Sequence, residues 1–566
     1  NGVEESAAND VTSLTGDYVL SSVGGYWFKV VVEADTTIMD SAYVVAKAAT
    51  ETEALPSDVT KGINYHEGDT SVTLVLETPV ANKEYAFVVG DFTNWFIDNN
   101  YQMKQTPDGK YFWLYIGNLT PQEEYVFQYW VDDDVKIGDP YAEKVADPWN
   151  DGYIPESVYP DLPEYTKTAY QTATVLQTGQ PEYAWAASED TWERPDLDNL
   201  VIYELLVRDF VETHSYSTLM DTLSYLKRLG IEAIEIMPFN EFEGNSSWGY
   251  NPSYYFAPDK YYGPKDSLKK FIETAHQEGL AVIMDMVLNH AYGQNALAKL
   301  YWDGSKPAAD NPWFNRDLPA NHYGWGNDFD HTSDHTKAFI DSVNTYWIEE
   351  YHVDGYRFDY TKGFTNSTSP NGYVADRIAI LKRMADVIWA QDPEAYVILE
   401  HWGPPNEEGE LADYGMKLWL NESYEWVPSI NGTNGGSFGD MKLGSHVTYY
   451  NSHDEQRIAW HALNEGVSSA DGSYNVKDTM VMFERKKMMA AFAYLFPGPK
   501  MIWQFDELGY DINIDFNGRT GEKPLPWGDD GLGYYEDPLR QHIYTVYSAI
   551  LSLRKEIGAD NLASAN

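Results

Sequence analysis

The chain has 566 residues, no cysteine and a formal net charge of −49, from 39 Lys and Arg against 88 Asp and Glu. The lack of cysteine excludes disulfides, thiolate metal sites and a cysteine nucleophile, and the strong negative charge argues against binding to nucleic acids or anionic membranes. No apolar run approaches the length of a membrane span, and the chain length predicts one large domain with one or two smaller ones.

Two β-rich segments are predicted ahead of the large domain. Residues 1–65 show strand-like alternation at 26–32 and 42–45 and predict a small β module. Residues 66–151 predict a β-sandwich, because four strand candidates are separated by turn residues. These candidates are residues 71–79, 84–92, 110–119 and 124–133. Residues 152–199 are rich in Pro, Tyr and polar residues and predict a connecting segment laid over the next domain.

From residue 200 to residue 555, strand-like runs alternate with helical ones. Eight runs are candidate strands: Val201–Val207, Ile231–Met237, Leu280–Leu288, Gly355–Tyr360, Ala395–Glu400, Met416–Leu418, His446–Asn451 and Lys500–Trp503. Repeated β-then-α units predict an α/β fold, either a (β/α)8 TIM barrel or a doubly wound sheet, with the ligand site at the carboxyl ends of the strands. No glycine-rich phosphate loop follows the first strand, which favours the barrel.

Polar side chains follow four of these strands. They are Asp285, Asn289 and His290 after the third strand, Arg357 and Asp359 in the fourth, Glu400, His401 and Trp402 after the fifth, and His453 and Asp454 after the seventh. Arg357 and Asp359 are two positions apart and lie on the same side of a strand, where the guanidinium keeps the carboxylate ionised. A structural ion pair is the alternative for these two residues alone. Four clusters at strand ends together predict a catalytic site.

Four segments resemble the signature regions of the α-amylase family, glycoside hydrolase family 13, in the expected order. They are DMVLNH at 285–290, GYRFDYTKG at 355–363, ILEHW at 398–402 and YYNSHDEQR at 449–457. Two further segments, at 248–263 and 498–511, support the resemblance, which spans the predicted barrel. The region around Lys362 and Gly363 looks closer to amylases of the Bacteroidetes kind, or to pullulanase and branching relatives, than to typical secreted α-amylases.

The resemblance implies that Asp359 is the nucleophile, Glu400 the general acid and base, and Asp454 a third carboxylate that binds sugar hydroxyls in the transition state. Retaining glycosidases place a nucleophile and an acid/base carboxyl about 5 to 5.5 Å apart and form a covalent glycosyl-enzyme. Glu400 must be protonated at the first step. We therefore expect a poorly solvated site and neighbouring carboxylates to raise its pKa, whereas Arg357 keeps Asp359 ionised.

The resemblance also implies substrate contacts. His290 and His453 are expected to hydrogen-bond the sugar in the cleavage subsite, and Tyr250 is expected to stack beneath its ring. Asp285 is expected to support the site from behind. Arg357 and Trp402 complete the predicted substrate-binding set.

A structural calcium is a further expectation from the resemblance, whereas no organic cofactor is expected. In the family, the asparagine matching Asn289 and an aspartate near Asp328 often bind calcium, for which oxygen atoms are the preferred ligands. Residues 291–335, an insertion after the third strand, would supply the other ligands. The position at which the family usually has a histidine is Gly363 here, which counts against the metal.

The sandwich carries a second resemblance. GDFTNW at 90–95, followed by residues 111–115, resembles the N-terminal domain of the carbohydrate-binding module family 48 type found in amylases and debranching enzymes. Trp95 and Trp113 either stack on sugar or pack the sandwich and its interface. The chain ends about twelve residues after the predicted helix 539–554, so residues 556–566 are expected to begin a C-terminal β domain that this sequence lacks.

The leading hypothesis is a retaining hydrolase that cleaves α-glucosidic bonds, chiefly α-1,4, in the polysaccharides or oligosaccharides of starch or glycogen. One alternative uses the same chemistry for transfer, as a branching enzyme or glucanotransferase, and another cleaves α-1,6 bonds in pullulan or at branch points. A non-catalytic glycan-binding protein on the same barrel is the remote alternative. The acidic composition and the start at Asn1 favour a secreted or cell-surface bacterial protein, with the periplasm as the alternative, and the oligomeric state stays open.

Overall fold

The computed structural model describes residues 23–32, 37–319, 323–433 and 444–564. At the amino-terminal end, β1 (Gly24–Val32) and β2 (Thr37–Ala46) form an antiparallel hairpin. Within the described ranges, no helix is long and apolar enough to cross a membrane. The prediction of a β module at residues 1–65 falls in part on residues outside the described ranges.

Two antiparallel sheets follow the hairpin. Their strands are β3 (Gly62–Tyr65), β4 (Val72–Glu77), β5 (Ala86–Gly90), β6 (Lys104–Gln105), β7 (Tyr111–Ile116), β8 (Glu124–Val131), β9 (Val135–Ile137), β10 (Val145–Ala146) and β11 (Ala173–Gln177). One sheet has the order β3-β4-β7-β6 and the other β10-β11-β8-β5, with β9 paired to β8. The strand β11 comes from the stretch that the sequence predicts as a connecting segment, so this sheet extends beyond the expected boundary at residue 151.

The two tryptophans of the sandwich are buried. Trp95 is 5% exposed and Trp113 is 6% exposed. The indole N–H of Trp95 donates to Asp91, and that of Trp113 donates to the backbone oxygen of Glu53, both within the amino-terminal part of the chain. Of the two alternatives left open by the sequence, the structure supports packing rather than stacking on sugar.

The remaining chain forms a closed eight-stranded parallel barrel surrounded by helices, which confirms the predicted fold class. The barrel strands are β12 (Val201–Leu205), β13 (Ala233–Ile236), β16 (Ala281–Met286), β19 (Gly355–Phe358), β20 (Tyr396–Leu399), β21 (Lys417–Asn421), β22 (His446–Tyr449) and β23 (Lys500–Trp503). Each coincides with one of the eight predicted runs, because buried parallel strands are short and apolar. Between them, β14 (Asn240–Phe242) pairs with β15 (Pro252–Pro258), and β17 (His290–Ala291) pairs with β18 (Asn327–Asp328).

The helices lie between the strands in sequence, except for the last two, which follow β23. They are α1 (Tyr216–Leu219), α2 (Leu223–Leu229), α3 (Lys265–Gln277), α4 (Ala296–Leu300), α5 (Asp334–Tyr351), α6 (Ala375–Gln391), α7 (Pro405–Tyr414), α8 (Ser423–Asn431), α9 (Ile458–Glu465), α10 (Thr479–Tyr494), α11 (Pro538–Ile557) and α12 (Ala559–Ser564). Helix α2 ends at Gly230, as the sequence predicts, because this residue adopts a φ of 106° that favours glycine.

The connecting segment crosses the amino-terminal end of the barrel, opposite the predicted site. Asp354, directly before β19, is fully buried there. It accepts hydrogen bonds from the Trp192 indole at 2.7 Å and from Arg194 Nε at 2.6 Å, and it faces His276 Nε2 at 2.9 Å. The segment is therefore attached to the barrel by a buried charged cluster, which leaves the carboxyl ends of the strands free for chemistry.

Candidate active site

The predicted catalytic residues lie at the carboxyl-terminal ends of the barrel strands. Asp285 is in β16, Arg357 is in β19 and Asp359 follows β19 directly. Glu400 follows β20, and Asp454 lies on the loop after β22. Because the strands are parallel and neighbouring, their ends meet at one rim of the barrel.

Arg357 is the centre of the cluster. Its guanidinium is buried and contacts three carboxylates, with Nη1 at 2.7 Å from Asp285 and 3.3 Å from Asp359, and Nη2 at 2.7 Å from Glu400. The same guanidinium lies over the ring of Trp419, 4.0 Å from the ring centroid. Two terminal nitrogens of one planar group thus hold Asp359 and Glu400 side by side.

Glu400 has the environment of a general acid. Burial raises its pKa, the Asp359 carboxylate adds to the effect, and Arg357 opposes it, which leaves the pKa at about 8. Its Oε2 accepts hydrogen bonds from Arg357 Nη2 and, at 2.9 Å, from the backbone N–H of Tyr360. Because both donors face Oε2, the acidic proton belongs on Oε1.

Asp359 has the environment of an anionic nucleophile. Its Oδ2 accepts a hydrogen bond from the Asn289 amide at 2.6 Å, and its Oδ1 faces Arg357. A donor on each oxygen suits a carboxylate without a proton. The side chain keeps partial exposure at the rim of the barrel, so a substrate can reach it.

Asp454 is the most open of the three carboxylates, with a side chain that is 42% exposed. Burial works to raise its pKa, but the charges of His453, Arg519 and Arg357 outweigh burial and hold the pKa below its usual value. Arg519 Nη2 contacts Asp454 Oδ1 at 3.2 Å, and His453 Nε2 lies 3.5 Å from Oδ2. This carboxylate is therefore anionic at neutral pH and faces the open cleft.

Tyr250, Asp285 and His453 form a layer beside the carboxylates. The Tyr250 hydroxyl donates to Asp285 Oδ2 at 2.5 Å, and its ring stacks on the His453 ring with centroids 5.0 Å apart. Burial raises the pKa of Asp285 to about 6, since Arg357 opposes the effect only in part. Asp285 thus lies behind the site, in contact with Tyr250 and Arg357, as the resemblance implies.

His290 differs from the expectation that it hydrogen-bonds a sugar. Both of its ring nitrogens already face protein acceptors, Nδ1 at 2.5 Å from Asn289 Oδ1 and Nε2 at 2.9 Å from the backbone oxygen of Tyr250. The ring is buried, and burial lowers its pKa. In this structure His290 therefore orients Asn289 and the Tyr250 loop instead of offering a free nitrogen to substrate.

Trp402 lies at the rim of the site and is 43% exposed. It adopts a φ of 47°, in the left-handed region that non-glycine residues rarely occupy. The neighbouring His401 is buried and contacts Glu407 and Thr361. The exposed indole is thus available to a ligand, while the imidazole beside it holds the loop.

The residues expected to bind calcium do not fit that ion. Asn289 turns its amide nitrogen to Asp359 and its oxygen to His290, and Asp328 accepts a hydrogen bond from Asn315 at 2.7 Å. Across residues 23–32, 37–319, 323–433 and 444–564, no group of three His, Asp or Glu side chains could hold a metal.

Three residues of the site were missed by sequence reasoning. Glu204 in β12 contacts His453 Nδ1 at 2.6 Å, and Arg519 from a distant loop contacts Asp454. Glu235 in β13 is fully buried, with neither carboxyl oxygen hydrogen-bonded. Glu204 and Glu235 are charged residues inside otherwise apolar strand runs, the same signal that singled out Arg357, whereas the sequence around Arg519 carries no such signal.

Comparison with known proteins finds similarity to the α-amylase family in part of the chain. Residues 215–322 match the family described as "Alpha amylase, catalytic domain". The chain is 28% identical over 512 residues to the malto-oligosyltrehalose trehalohydrolase of Saccharolobus solfataricus, covering 81% of this chain and 82% of that protein. It is also 28% identical over 385 residues to a 1,4-alpha-glucan branching enzyme of Clostridium perfringens, covering 62% of this chain and 53% of that protein.

Solved structures share the fold. The pullulanase type I of Bacillus subtilis, determined with maltose, superposes with a TM-score of 0.64 at 21% identity, covering 88% of this chain and 72% of the pullulanase. The chain therefore shares the fold of this pullulanase over most of its length. The names of these similar proteins differ in the reaction performed, so the reaction must be argued from the site.

Proposed function

We propose that this chain is an enzyme of the α-amylase family and a retaining glycoside hydrolase that cleaves α-glucosidic bonds, chiefly α-1,4, in starch-type or glycogen-type glucans. One observation carries the proposal: the guanidinium of Arg357 binds Asp359 and Glu400 together. Two carboxyl groups held on one guanidinium suit the close pair of a retaining enzyme, about 5 to 5.5 Å apart, better than the wider pair of an inverting one.

The first step forms the covalent intermediate. An Asp359 oxygen attacks the anomeric carbon while Glu400 gives its Oε1 proton to the departing glycosidic oxygen, so the C–O bond breaks and the leaving sugar is neutral. Arg357 and Asn289 orient the Asp359 carboxylate for attack. Asp454 accepts hydrogen bonds from sugar hydroxyls as the ring distorts.

The second step releases the sugar. Glu400, now a carboxylate, takes a proton from water, and the resulting oxygen nucleophile attacks the anomeric carbon and frees Asp359. Glu400 ends protonated again, and two inversions give net retention. A sugar hydroxyl in place of water would give transfer by the same route, which is how this site also accommodates a branching reaction.

A second candidate substrate is malto-oligosyltrehalose. The match to the Saccharolobus solfataricus trehalohydrolase extends over 82% of that protein, whereas the match to the branching enzyme covers 53% of its length. The same three carboxylates would serve cleavage of this substrate, because a malto-oligosyl chain is also joined through α-glucosidic bonds. Subsite contacts, and not the chemistry, separate the two candidates.

The test is incubation with amylose, pullulan, a branched glucan and malto-oligosyltrehalose, followed by reducing-end assay and NMR of the product anomers. Glu400→Gln is the matched control, because it keeps the size of the side chain and loses the acid. New α-anomeric ends absent from the control are expected, and the preferred polymer identifies the linkage. Products with the β-anomer would contradict retention. Altered chain lengths without new ends would indicate a transferase, and no change on any substrate would favour a glycan-binding protein.

A further inference from the structure

Glu204 is a buried carboxylate with a specific partner across the barrel. It lies in β12, is fully buried, and its Oε1 is 2.6 Å from Nδ1 of His453. Its other oxygen accepts a hydrogen bond from the backbone N–H of His453 at 3.3 Å. A carboxylate that binds both the ring and the backbone of one residue fixes the position and the orientation of that ring.

His453 in turn faces the third carboxylate of the site. Its Nε2 lies 3.5 Å from Asp454 Oδ2, and its ring stacks on Tyr250. With a carboxylate on each ring nitrogen, both nitrogens carry protons and the ring is an imidazolium. Burial works to lower the pKa of His453, but Asp454 and Glu204 outweigh it and raise the pKa to about 10.

We propose that Glu204 is a positioning residue that holds His453 as an imidazolium with its Nε2–H directed at Asp454 and at the sugar bound there. The inference rests on the proposed function, because it concerns a sugar in the cleavage subsite. Without the charge of Glu204, His453 loses its proton at a lower pH, and its Nε2 lone pair then faces the Asp454 carboxylate. That arrangement repels Asp454 and removes a donor from the sugar.

Other groups around His453 do not replace Glu204. The titratable or charged residues facing it from the packed elements are Glu204, Glu235, Tyr250, Arg357, Asp454 and Glu455. Burial, together with Glu204 and Asp285, raises the pKa of Glu235 well above its usual value and so favours its uncharged form. Arg357 opposes a charge on His453. Glu204 and Asp454 are therefore the two anions that stabilise the imidazolium most.

The experiment measures binding of maltohexaose by calorimetry from pH 6 to pH 9 in the Glu400→Gln background, in which Glu400 no longer titrates and substrate is not consumed. The double variant E204Q/E400Q keeps a hydrogen-bond acceptor for Nδ1 but lacks the charge. E235Q/E400Q is the matched control, because it makes the same substitution at a buried carboxyl group one strand away that makes no hydrogen bond to His453. Melting temperatures verify that each variant is folded.

Binding by the E400Q protein and by the control is expected to be constant over this pH range. In E204Q/E400Q the affinity is expected to fall about tenfold between pH 6 and pH 9, because a lost charge-assisted contact is of this size. The midpoint of this fall in affinity is expected roughly two pH units below the midpoint for E400Q. A shift of this size is the usual effect of removing one opposite charge at close range.

Constant binding in E204Q/E400Q would overturn the role of Glu204 and leave the proposed function intact. If E400Q binds no maltohexaose at any pH, both the inference and the α-glucan assignment fail together. If E204Q/E400Q does not fold, the E400Q protein alone decides the matter. The calorimetry of E400Q is then extended to pH 11, where loss of binding with a midpoint near pH 10 supports a held imidazolium, whereas loss below pH 8 contradicts it.

Discussion

At the scale of single residues, the carboxyl groups of Glu400 and Asp359 have different surroundings that suit different roles in catalysis. Glu400 is buried, and its acid form is favoured by desolvation and by the neighbouring Asp359. Asp359 receives a donor on each oxygen and keeps contact with solvent. Arg357 contacts both carboxyl groups, so it does not distinguish their surroundings. The surroundings differ in burial and in the hydrogen bond that Asn289 donates to Asp359.

The pH dependence of kcat/KM is the prediction at this scale. The pKa of Glu400 is raised to about 8, so its acid form is complete at low pH and is lost as pH rises through about 8. On a malto-oligosaccharide, kcat/KM is therefore expected to fall above pH 8, as measured by initial rates in overlapping buffers.

A substrate with a fluoride leaving group supplies the control for this prediction. Fluoride leaves with little protonation, so the alkaline decline should be much smaller with maltosyl fluoride than with the oligosaccharide. Equal declines on both substrates, or a decline for the oligosaccharide centred near pH 5, would contradict the assignment of Glu400 as the acid.

At the scale of elements, short strands carry the chemistry at their ends. Strand β19 has four residues, of which Arg357 is the third, and Asp359 is the first residue after the strand. Its start passes so near to β20 that only glycine fits. Gly355 adopts a φ of 152°, and a Cβ there would lie 2.3 Å from the backbone oxygen of Tyr396. The position of this strand, and hence of the nucleophile, depends on that close approach.

Gly355→Ala is the prediction at this scale. The added methyl group must push β19 away from β20, and we expect a loss of more than about 3 kcal/mol in the free energy of unfolding, seen as insoluble expression or a large fall in melting temperature. Gly409→Ala in helix α7 is the control, because a Cβ there meets nothing within 4 Å. That change should stabilise the helix by roughly 0.5 to 1 kcal/mol. Equal melting temperatures for the two variants would show that the approach is not tight.

At the scale of the whole molecule, the amino-terminal sheets and the connecting segment pack on the barrel. The Thr172 hydroxyl is 3.0 Å from the Tyr254 hydroxyl, and the Lys260 ammonium lies 3.3 Å from Asp151.

At the opposite end of the barrel from the site, His276 bridges Asp354 and Glu189, each at 2.9 Å. Burial opposes a charge on His276, but these two carboxylates raise its pKa to about 9.

His276→Gln is the prediction at this scale. Because the folded-state pKa is raised, the contribution of His276 is fully present below pH 6.5 and is lost as pH rises through about 9. The wild type is expected to be more stable than the variant by up to about 3 kcal/mol at pH 6, with little difference at pH 10. Thermal unfolding at both pH values measures this difference in stability, and limited proteolysis of residues 178–199 measures how firmly the connecting segment is attached.

His461→Gln is the matched control for His276→Gln, because His461 contacts Glu465 on the surface of a helix. This variant should follow the wild type at both pH values within about 0.5 kcal/mol. A difference between wild type and His276→Gln that persists unchanged at pH 10 would indicate lost packing and not a lost charge.

The sequence by itself determined the barrel and the order of its strands. Each buried strand is a short apolar run, and each polar cluster directly follows one, so both are local patterns along the chain. The pairing of Arg357 with Asp359 is equally local, since the two residues are two positions apart on one strand. The resemblance of four short segments added the proposed roles of Asp359, Glu400 and Asp454, for which the site geometry is favourable.

Only the tertiary structure decided contacts between residues far apart in the chain. Asn289 and His290 turn toward Asp359 and Tyr250 rather than toward calcium or sugar, and Trp95 and Trp113 are buried. Glu204 meets His453 across 249 positions of sequence. Such contacts follow from closure of the barrel, which sets the register of strands and the direction of each side chain. Periodicity along a single strand carries no information about which residue of a distant strand or loop will lie opposite.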